Sequence, residues 1–416
     1  MVCRSIFTCA LILVLSQSGV PAQATEATPR TYALSELVDL ALVRHPAISG
    51  AASVIEQSRG QQVAAAAYPN PSVSGLAGRG TIRDPSTGVS IIEHTVTVGQ
   101  PVEWPAKRAA RQRAANAGLA GAQAGLEDAS LTVRADVKVA FYQLLLAQRD
   151  AEVTIQNLAT VEEVSRIVKA RVTAGEATPF EAIKANVEVQ KARKEVSRTD
   201  NALLVARVRL NTLTAGAMGK NFSIQGDFES LRAELDLDGM TALAVERHPN
   251  IQRLRKLLEQ AEQSVVEERA SRIPMVTVQG SYHREAGDQS VVAGLSIPIP
   301  LWYRRQGEIQ TALGATHRLA ADRLRAENDL VNAVTESVQE ARTAKEQIEV
   351  FEKGLLQQAE QALGIARVSF RQGAASLLDL LDAQRVYRQT RLEYVQARSA
   401  LAIALARLER WTGGLP

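Results

Sequence analysis

The sequence predicts a mainly α-helical chain with a membrane β-barrel: four strands per chain join those of other copies, and long helices pair antiparallel in the manner of a coiled coil. Composition, an internal duplication and a fixed order of periodicities within each copy lead to this class. Of 416 residues, 46% are apolar, 22% charged and only 4% aromatic, which favours long helices over several compact domains. The formal charge of +3 comes from interspersed basic and acidic residues, so nothing points to nucleic acid as a partner.

Residues 1–24, "MVCRSIFTCALILVLSQSGVPAQA", combine Arg4, an apolar run from Ile6 to Leu15 and the small residues Ala22 and Ala24. This is the three-part layout of a secretory signal peptide, too short for a spanning helix. Both cysteines, Cys3 and Cys9, fall inside it. The mature chain is therefore expected to lack disulfides, thiolate metal sites and cysteine catalysis, and no cysteine follows the apolar run where a lipoprotein would be acylated. No other apolar stretch approaches the roughly 20 residues of a spanning helix. If the chain crosses a membrane, it must do so with strands.

The duplication is read from landmarks. "LVDLALVRHPAI" at 37–48 lies over "MTALAVERHPNI" at 240–251, and "GQPVEWPAKR" at 99–108 over "SIPIPLWYRR" at 296–305. Pro46 precedes Pro71 by 25 residues and Pro249 precedes Pro274 by 25; Pro101 precedes Gly175 by 74 and Pro298 precedes Gly373 by 75. The copies close on "LTAG" at 213–216 and "WTGG" at 411–414. The expected division is a first repeat over 25–216 and a second over 217–416.

Each copy opens with a helical segment, 34–67 and 238–271, ended by prolines that also restrict the residue before them. Two alternating runs follow in each, separated by Gly-, Asp- or Ser-bearing turns, which predicts β-hairpins over 70–100 and 274–299. Next come proline-free segments at 106–173 and 304–371; an unbroken helix of that length reaches about 100 Å. Gly175 and Gly373 mark their ends. Thr178 and Ser376 then stand as N-caps with Glu181 and Asp379 three residues on, the pattern of a tight helix-to-helix turn. Return helices at 179–213 and 377–411 carry sustained apolar spacing, such as Leu377, Leu381 and Leu392.

Four strands cannot enclose a usable lumen, and an open sheet in lipid would leave its edges unpaired, so strands in a membrane require several chains; a soluble β-hairpin packed on helices is the alternative. The alternation of Val89, Ile91 and Val96 is weak and mixed with polar residues, as in porin strands.

Taken together, the signal peptide, the duplicated helix–hairpin–long-helix unit, "HP" in both opening helices, and the glycine turn before "SLLDLLDAQ" resemble the TolC-like outer-membrane efflux proteins. The resemblance spans essentially the whole mature chain. "RVTAGEATPFEAIKANV", "YPNPSV" and "GQPVEWPAKRAARQRAA" are most similar to the CzcC/CusC branch, which serves heavy-metal pumps. The resemblance implies a homotrimer in the outer membrane of a Gram-negative bacterium, with a 12-stranded barrel and a helical periplasmic tunnel. It implies a periplasmic adaptor and an inner-membrane RND pump as partners, with outer-membrane lipid around the barrel. A TolC-like exit duct for drugs or other small organic molecules is the alternative function.

The aspartates of "SLLDLLDAQR" are singled out because three-residue spacing stacks Asp379 and Asp382 on one helix face, where like charges repel. The resemblance puts them at the periplasmic tunnel entrance, where three chains would form rings of negative charge that favour cations. Asp379 alternatively serves as a helix-start carboxylate. The first-repeat counterparts are Glu181 and Lys184, and the lysine breaks the acidic pattern. The exposed helix tips at Gly175 and Gly373 are the expected adaptor-docking surface.

Other chemistry is weaker. His45 and His248 precede prolines at helix ends, His94 and His283 lie in predicted strands, and none is paired at ligand spacing. Met218, Met240 and Met275 form no copper-collecting cluster. No phosphate loop and no nucleophile with its base can be assembled, so neither a cofactor nor catalysis is expected. Trp104, Trp302 and Tyr303, just after the hairpins, suit either an aromatic belt or core packing. A structural periplasmic coiled-coil protein would explain the helices but not two hairpins in register; a secreted hydrolase would need a catalytic constellation.

Overall fold

The computed structural model describes residues 30–81, 90–228, 235–285 and 287–413. The expected signal peptide with both cysteines, and the turn of the first hairpin, lie outside these residues.

The first strand, β1 (Arg30–Ala33), leads into α1 (Leu34–Arg44) and α2 (Pro46–Ala66). The single helix expected over 34–67 is thus two helices, bent by 43° at His45–Pro46. Proline has no N–H to donate and pushes the residue before it into extended backbone. His45 obeys, at φ −68°, ψ 130°, and its Nδ1 accepts the Ala47 N–H at 3.1 Å. "HP" is therefore a helix start, with histidine as N-cap and proline at the first helical position.

The second copy, expected as one helix over 238–271, splits the same way into α5 (Leu237–Arg247) and α6 (Pro249–Ala270). His248 Nδ1 accepts from the Asn250 N–H at 3.2 Å. Buried and stacked on Trp411 at 6.3 Å, it has its pKa lowered by burial, which favours the neutral ring that this acceptor role requires.

A strand pair that no sequence pattern announced ties the repeats together. β1 pairs in parallel with β4 (Phe222–Gln225), Arg30 opposite Phe222 and Ala33 opposite Gln225. Tyr32 and Phe222 reach a core with Leu37, Phe141, Tyr142, Leu210 and Ala402.

The hairpins are β2 (Ser72–Thr81) with β3 (Ser90–Val102), and β5 (Val276–Glu285) with β6 (Asp288–Ser296). They merge into one antiparallel sheet in the order β2-β3-β5-β6. Register turns the weak alternation into two distinct faces. Opposed residues share a face, so Val73, Val98 and Gly280 fall together, as do Val96, Tyr282 and Val291, and Val278 and Leu295. The opposite face carries Ser74, Thr97 and Ser281, and Thr95 and His283. There Thr97 Oγ1 meets Ser281 Oγ at 2.9 Å, and Thr95 Oγ1 meets His283 Nδ1 at 2.8 Å. One face suits lipid and the other water. Among the described residues the sheet stays open, with β2 and β6 as its edges.

From the sheet, α3 (Pro105–Thr173) runs 69 residues without a break and α4 (Pro179–Leu213) returns along it. In the second copy α9 (Leu377–Thr412) returns, but the outgoing helix is interrupted. It comprises α7 (Gln306–Val350), a π-helical turn at Phe351–Leu355, and α8 (Leu356–Arg371), so the uninterrupted helix expected over 304–371 is corrected.

The cause is legible in the spacing. The second copy has 75 residues where the first has 74 between proline and glycine landmarks, and a π turn is how a helix absorbs one extra residue. The Leu356 N–H reaches back five residues to the Phe351 carbonyl, while Gly354 sits at φ 140°, ψ −14°, a conformation open essentially to glycine alone. Phe351 packs edge-on against Tyr394 at 5.9 Å, and the Tyr394 hydroxyl donates to Glu352 at 2.9 Å. Beyond the turn Ala359, Leu363 and Phe370 are buried. The bulge thus keeps the apolar stripe in phase with α9.

Substituting and deleting Gly354 should act in opposite directions. Gly354→Val forces a β-branched residue into that backbone and should cost about 1–3 kcal/mol, lowering the apparent melting temperature followed by circular dichroism. Deleting Gly354 restores 74-residue spacing and a continuous α-helix, so the melting temperature should hold or rise. A deletion as damaging as the valine would show that the π turn does not absorb the extra residue.

Candidate functional site: the helix tips and the groove between them

Both helix hairpins end on the same backbone device. At the first, the Gly175 N–H bonds the Val172 carbonyl at 3.1 Å and the Glu176 N–H bonds Arg171 at 2.8 Å. At the second, Gly373 bonds Phe370 at 3.1 Å and Ala374 bonds Ser369 at 2.9 Å. These are Schellman pairs, and they require the left-handed φ of 79° and 75° that the two glycines adopt. A Cβ at either position would meet no other atom within 4 Å, so only backbone strain opposes substitution.

The turns differ at the start of the return helix. Ser376 forms a complete capping box: its Oγ accepts the Asp379 N–H at 3.2 Å, and Asp379 Oδ2 accepts from the Ser376 N–H at 3.0 Å and hydroxyl at 2.7 Å. Those bonds, the hydroxyl's first, hold the Asp379 carboxyl below the usual aspartate range. Thr178 occupies the matching N-cap position with extended backbone, yet makes no side-chain cap. Its carbonyl takes the Glu181 N–H at 3.1 Å instead, and Pro179 supplies the pre-set first helical φ. The side-chain cap expected from Thr178 is therefore absent.

Asp379 and Asp382 do not face each other unscreened. Asp379 turns back to Ser376, while Asp382 pairs with Arg385 one turn further on. Asp382 lines an open groove of about 540 Å³ between α4 and α9, floored by Asn157 and Val161 of α3. Across it stands Lys184, and Glu188, Lys191, Lys194, Glu195, Arg385 and Arg388 complete the charged walls. Glu181 lies in the first turn of α4.

Several contacts at this end carry no motif of their own. Gln384, 5% exposed, donates to Asn157 Oδ1 at 3.0 Å, and Arg391 donates to Gln156 at 3.1 Å, fastening α9 to α3. Beneath both tips Val164, Val168, Ala185, Leu363, Phe370 and Leu377 form one apolar cluster. The Arg171 guanidinium lies 5.4 Å from the centre of the Phe370 ring. These side chains come from α3, α4, α8 and α9, so the two tips form one packed body. Apolar spacing shows that such residues are buried but not that one cluster gathers them.

The remaining candidates stay apart. His45 and His248 are helix caps; His94 and His283 take opposite faces of the sheet, since Thr95 is the residue opposite His283. Among the described residues no group of three or more His, Cys, Asp or Glu side chains is placed to hold a metal ion.

The family model for outer membrane efflux proteins matches the chain twice, over 37–216 and 241–414. The cobalt-zinc-cadmium resistance protein CzcC of Cupriavidus metallidurans is 26% identical over 368 residues, covering 88% of this chain and 86% of that protein. The pyoverdine export outer membrane protein OpmQ of Pseudomonas aeruginosa is 23% identical over 407 residues, covering 91% and 83%. A solved structure of CusC aligns with a TM-score of 0.78 at 17% identity over 92% of each chain, a likeness of fold. With a two-faced sheet, long paired helices and the family model matched over 37–216 and 241–414, this chain belongs to the outer membrane efflux protein family and is an outer-membrane channel component of export systems, not an enzyme.

Proposed function

We propose that this channel carries heavy-metal cations out of the cell as the outer-membrane member of a three-part assembly with a periplasmic adaptor and an inner-membrane RND pump. The observation that carries the reading is the similarity to CzcC over nearly the full length of both chains. In this reading three copies close the barrel, because the edges β2 and β6 need partners and three four-stranded sheets give 12 strands. The tips at Gly175 and Gly373 receive the adaptor. Glu181, Asp379 and Asp382 ring the entrance, and Asp382 is the carboxylate available to passing cations. Its exposed partner Arg385 holds it only weakly, whereas Asp379 is committed to its cap.

The similarity to OpmQ supports a second reading, a duct for small organic molecules. Deleting the gene separates the two. The cargo reading expects lost tolerance to zinc, cobalt and cadmium with unchanged tolerance to organic toxicants. The reverse pattern would move the assignment to organic cargo.

At the tips, Gly175→Val and Gly373→Val should each abolish metal tolerance while trimer migration on gels stays normal, because the strain is local and about 1–2 kcal/mol. Undiminished crosslinking of such variants to the adaptor would remove the docking assignment.

Charge removal should separate the aspartates. Replacing both with Asn should leave the trimer intact but reduce cation preference and block by periplasmic trivalent cations in planar bilayers. Asp382→Asn alone should reproduce most of that loss, and Asp379→Asn little of it. Wild-type block in the double variant would leave both residues as ordinary helix-start carboxylates.

A further inference from the structure

The apolar face of the sheet continues past the end of the strands. On β6 it comprises Val291, Ala293 and Leu295. Beyond the strand the exposed residues Ile297, Ile299 and Leu301 keep the same two-residue spacing around Pro298 and Pro300. Trp302 follows at 91% exposure, then Tyr303, Arg304 and Arg305. Aliphatic, aromatic and basic residues therefore succeed one another along the chain. A protein surface follows that order as it passes from hydrocarbon through the interface to the headgroups.

Behind this segment is a cavity of about 310 Å³, bounded by the start of α3, the end of α6 and the chain after β6. Trp104, Lys107, Arg272, Met275, Arg304 and Arg305 line it. Its one carboxylate, Glu103, is already occupied by Arg111 and lies 3.9 Å from Lys107. Arg305 is taken by Glu268, with bonds of 2.9 and 2.6 Å. Arg272 and Arg304 have no carboxylate within 4 Å among the described residues, and both are exposed. Trp104 is fixed as a wall by its Nε1–H, which donates to the Pro274 carbonyl at 3.1 Å. The cavity thus presents two unspent guanidinium groups beside an exposed apolar ridge.

We infer that this cavity binds the phosphate-bearing headgroup of an anionic phospholipid from the periplasmic leaflet, with the acyl chains lying along Ile299, Leu301 and Trp302. The inference rests on the sheet standing in a membrane. Ten-residue strands rising about 3.4 Å per residue and tilted about 45° span roughly 24 Å, close to the apolar band of a barrel. The cavity, at the strand roots where the helices begin, then falls at the boundary. Guanidinium forks match phosphate geometry, and the apolar ridge distinguishes a lipid from a free ion.

Native mass spectrometry of the full chain, purified in detergent and titrated with phosphatidylglycerol, tests the site. Glycerophosphoglycerol and inorganic phosphate serve as chain-free competitors. The wild type should retain phosphatidylglycerol against a large excess of either competitor. Arg272→Gln with Arg304→Gln should weaken retention by about 25-fold, each basic group near an anionic surface contributing about fivefold. The double lysine variant, which keeps the charge but loses the fork, should fall between the wild type and the glutamine variant, and Trp302→Ala should weaken retention with the charges intact. Circular dichroism checks that each variant is folded. Equal retention by the folded glutamine variant, or displacement of the lipid by inorganic phosphate at matched concentration, would overturn the lipid site while leaving the barrel reading untouched. A chain that stays soluble without detergent would overturn both.

Discussion

Hydrocarbon offers no hydrogen bonds, and that constraint governs this molecule from the sheet outward. The edges β2 and β6 each present a row of backbone N–H and C=O groups without strand partners among the described residues, and each such group costs several kcal/mol in lipid. A single copy therefore cannot be the membrane-inserted unit. The same requirement explains why β3 pairs with β5: two separate hairpins would have four edges to satisfy, and joining the repeats leaves two. Once the sheet is continuous, period-two alternation places Val96, Tyr282 and Val291 on one side and Thr97 and Ser281 on the other. A single-residue slip would exchange the faces.

Duplication supplies the architecture, and the copies depart from each other at the long helix and at the tip. The first carries an unbroken 69-residue helix; the second carries one more residue, a π turn at Phe351–Leu355 and a glycine at φ 140°. The first enters its return helix through Pro179 without a side-chain cap; the second has the full Ser376–Asp379 box. Lys184 stands where the second copy has Asp382. A bulged helix beside a firmly capped one makes α8 the segment whose geometry two identical repeats would not provide. Its neighbours on α9 hold Asp379 and Asp382.

Helix ends were legible because they rest on local backbone chemistry. Gly175 and Gly373 stop their helices as left-handed C′ residues, and the return helices start at Pro179 and Leu377. "HP" is legible as a marker but not, from sequence alone, as the start of a second helix, since the proline signal for ending one helix also serves to begin the next. The pairing of β1 with β4 was invisible: four residues on each side carry too little alternation, and the partners lie nearly 200 positions apart. The difference between 74 and 75 residues was in plain view, yet only the helix phase shows where the extra residue goes. At the tips the carboxylates could be listed from sequence. Their partners could not, because Ser376 and Arg385 are ordinary neighbours until the helix start fixes their directions.

Those partners change what a pair of aspartates three residues apart implies. Stacked carboxylates suggest concentrated negative charge, but Asp379 is spent on two donors from Ser376 and Asp382 is matched by Arg385. The groove beside Asp382 is walled by Lys184, Lys191, Lys194, Arg385 and Arg388 against Glu188, Glu195 and Asp382, so its lining is mixed in sign with basic residues in excess. At ordinary ionic strength, charges more than about 8–10 Å apart through water are largely screened. A ring of Asp382 side chains acts on a cation only if assembly brings them close together and turns the basic residues away. In the proposed assembly, charge selection at the helix tips is therefore a property that three chains would create by their spacing rather than one that a single chain carries.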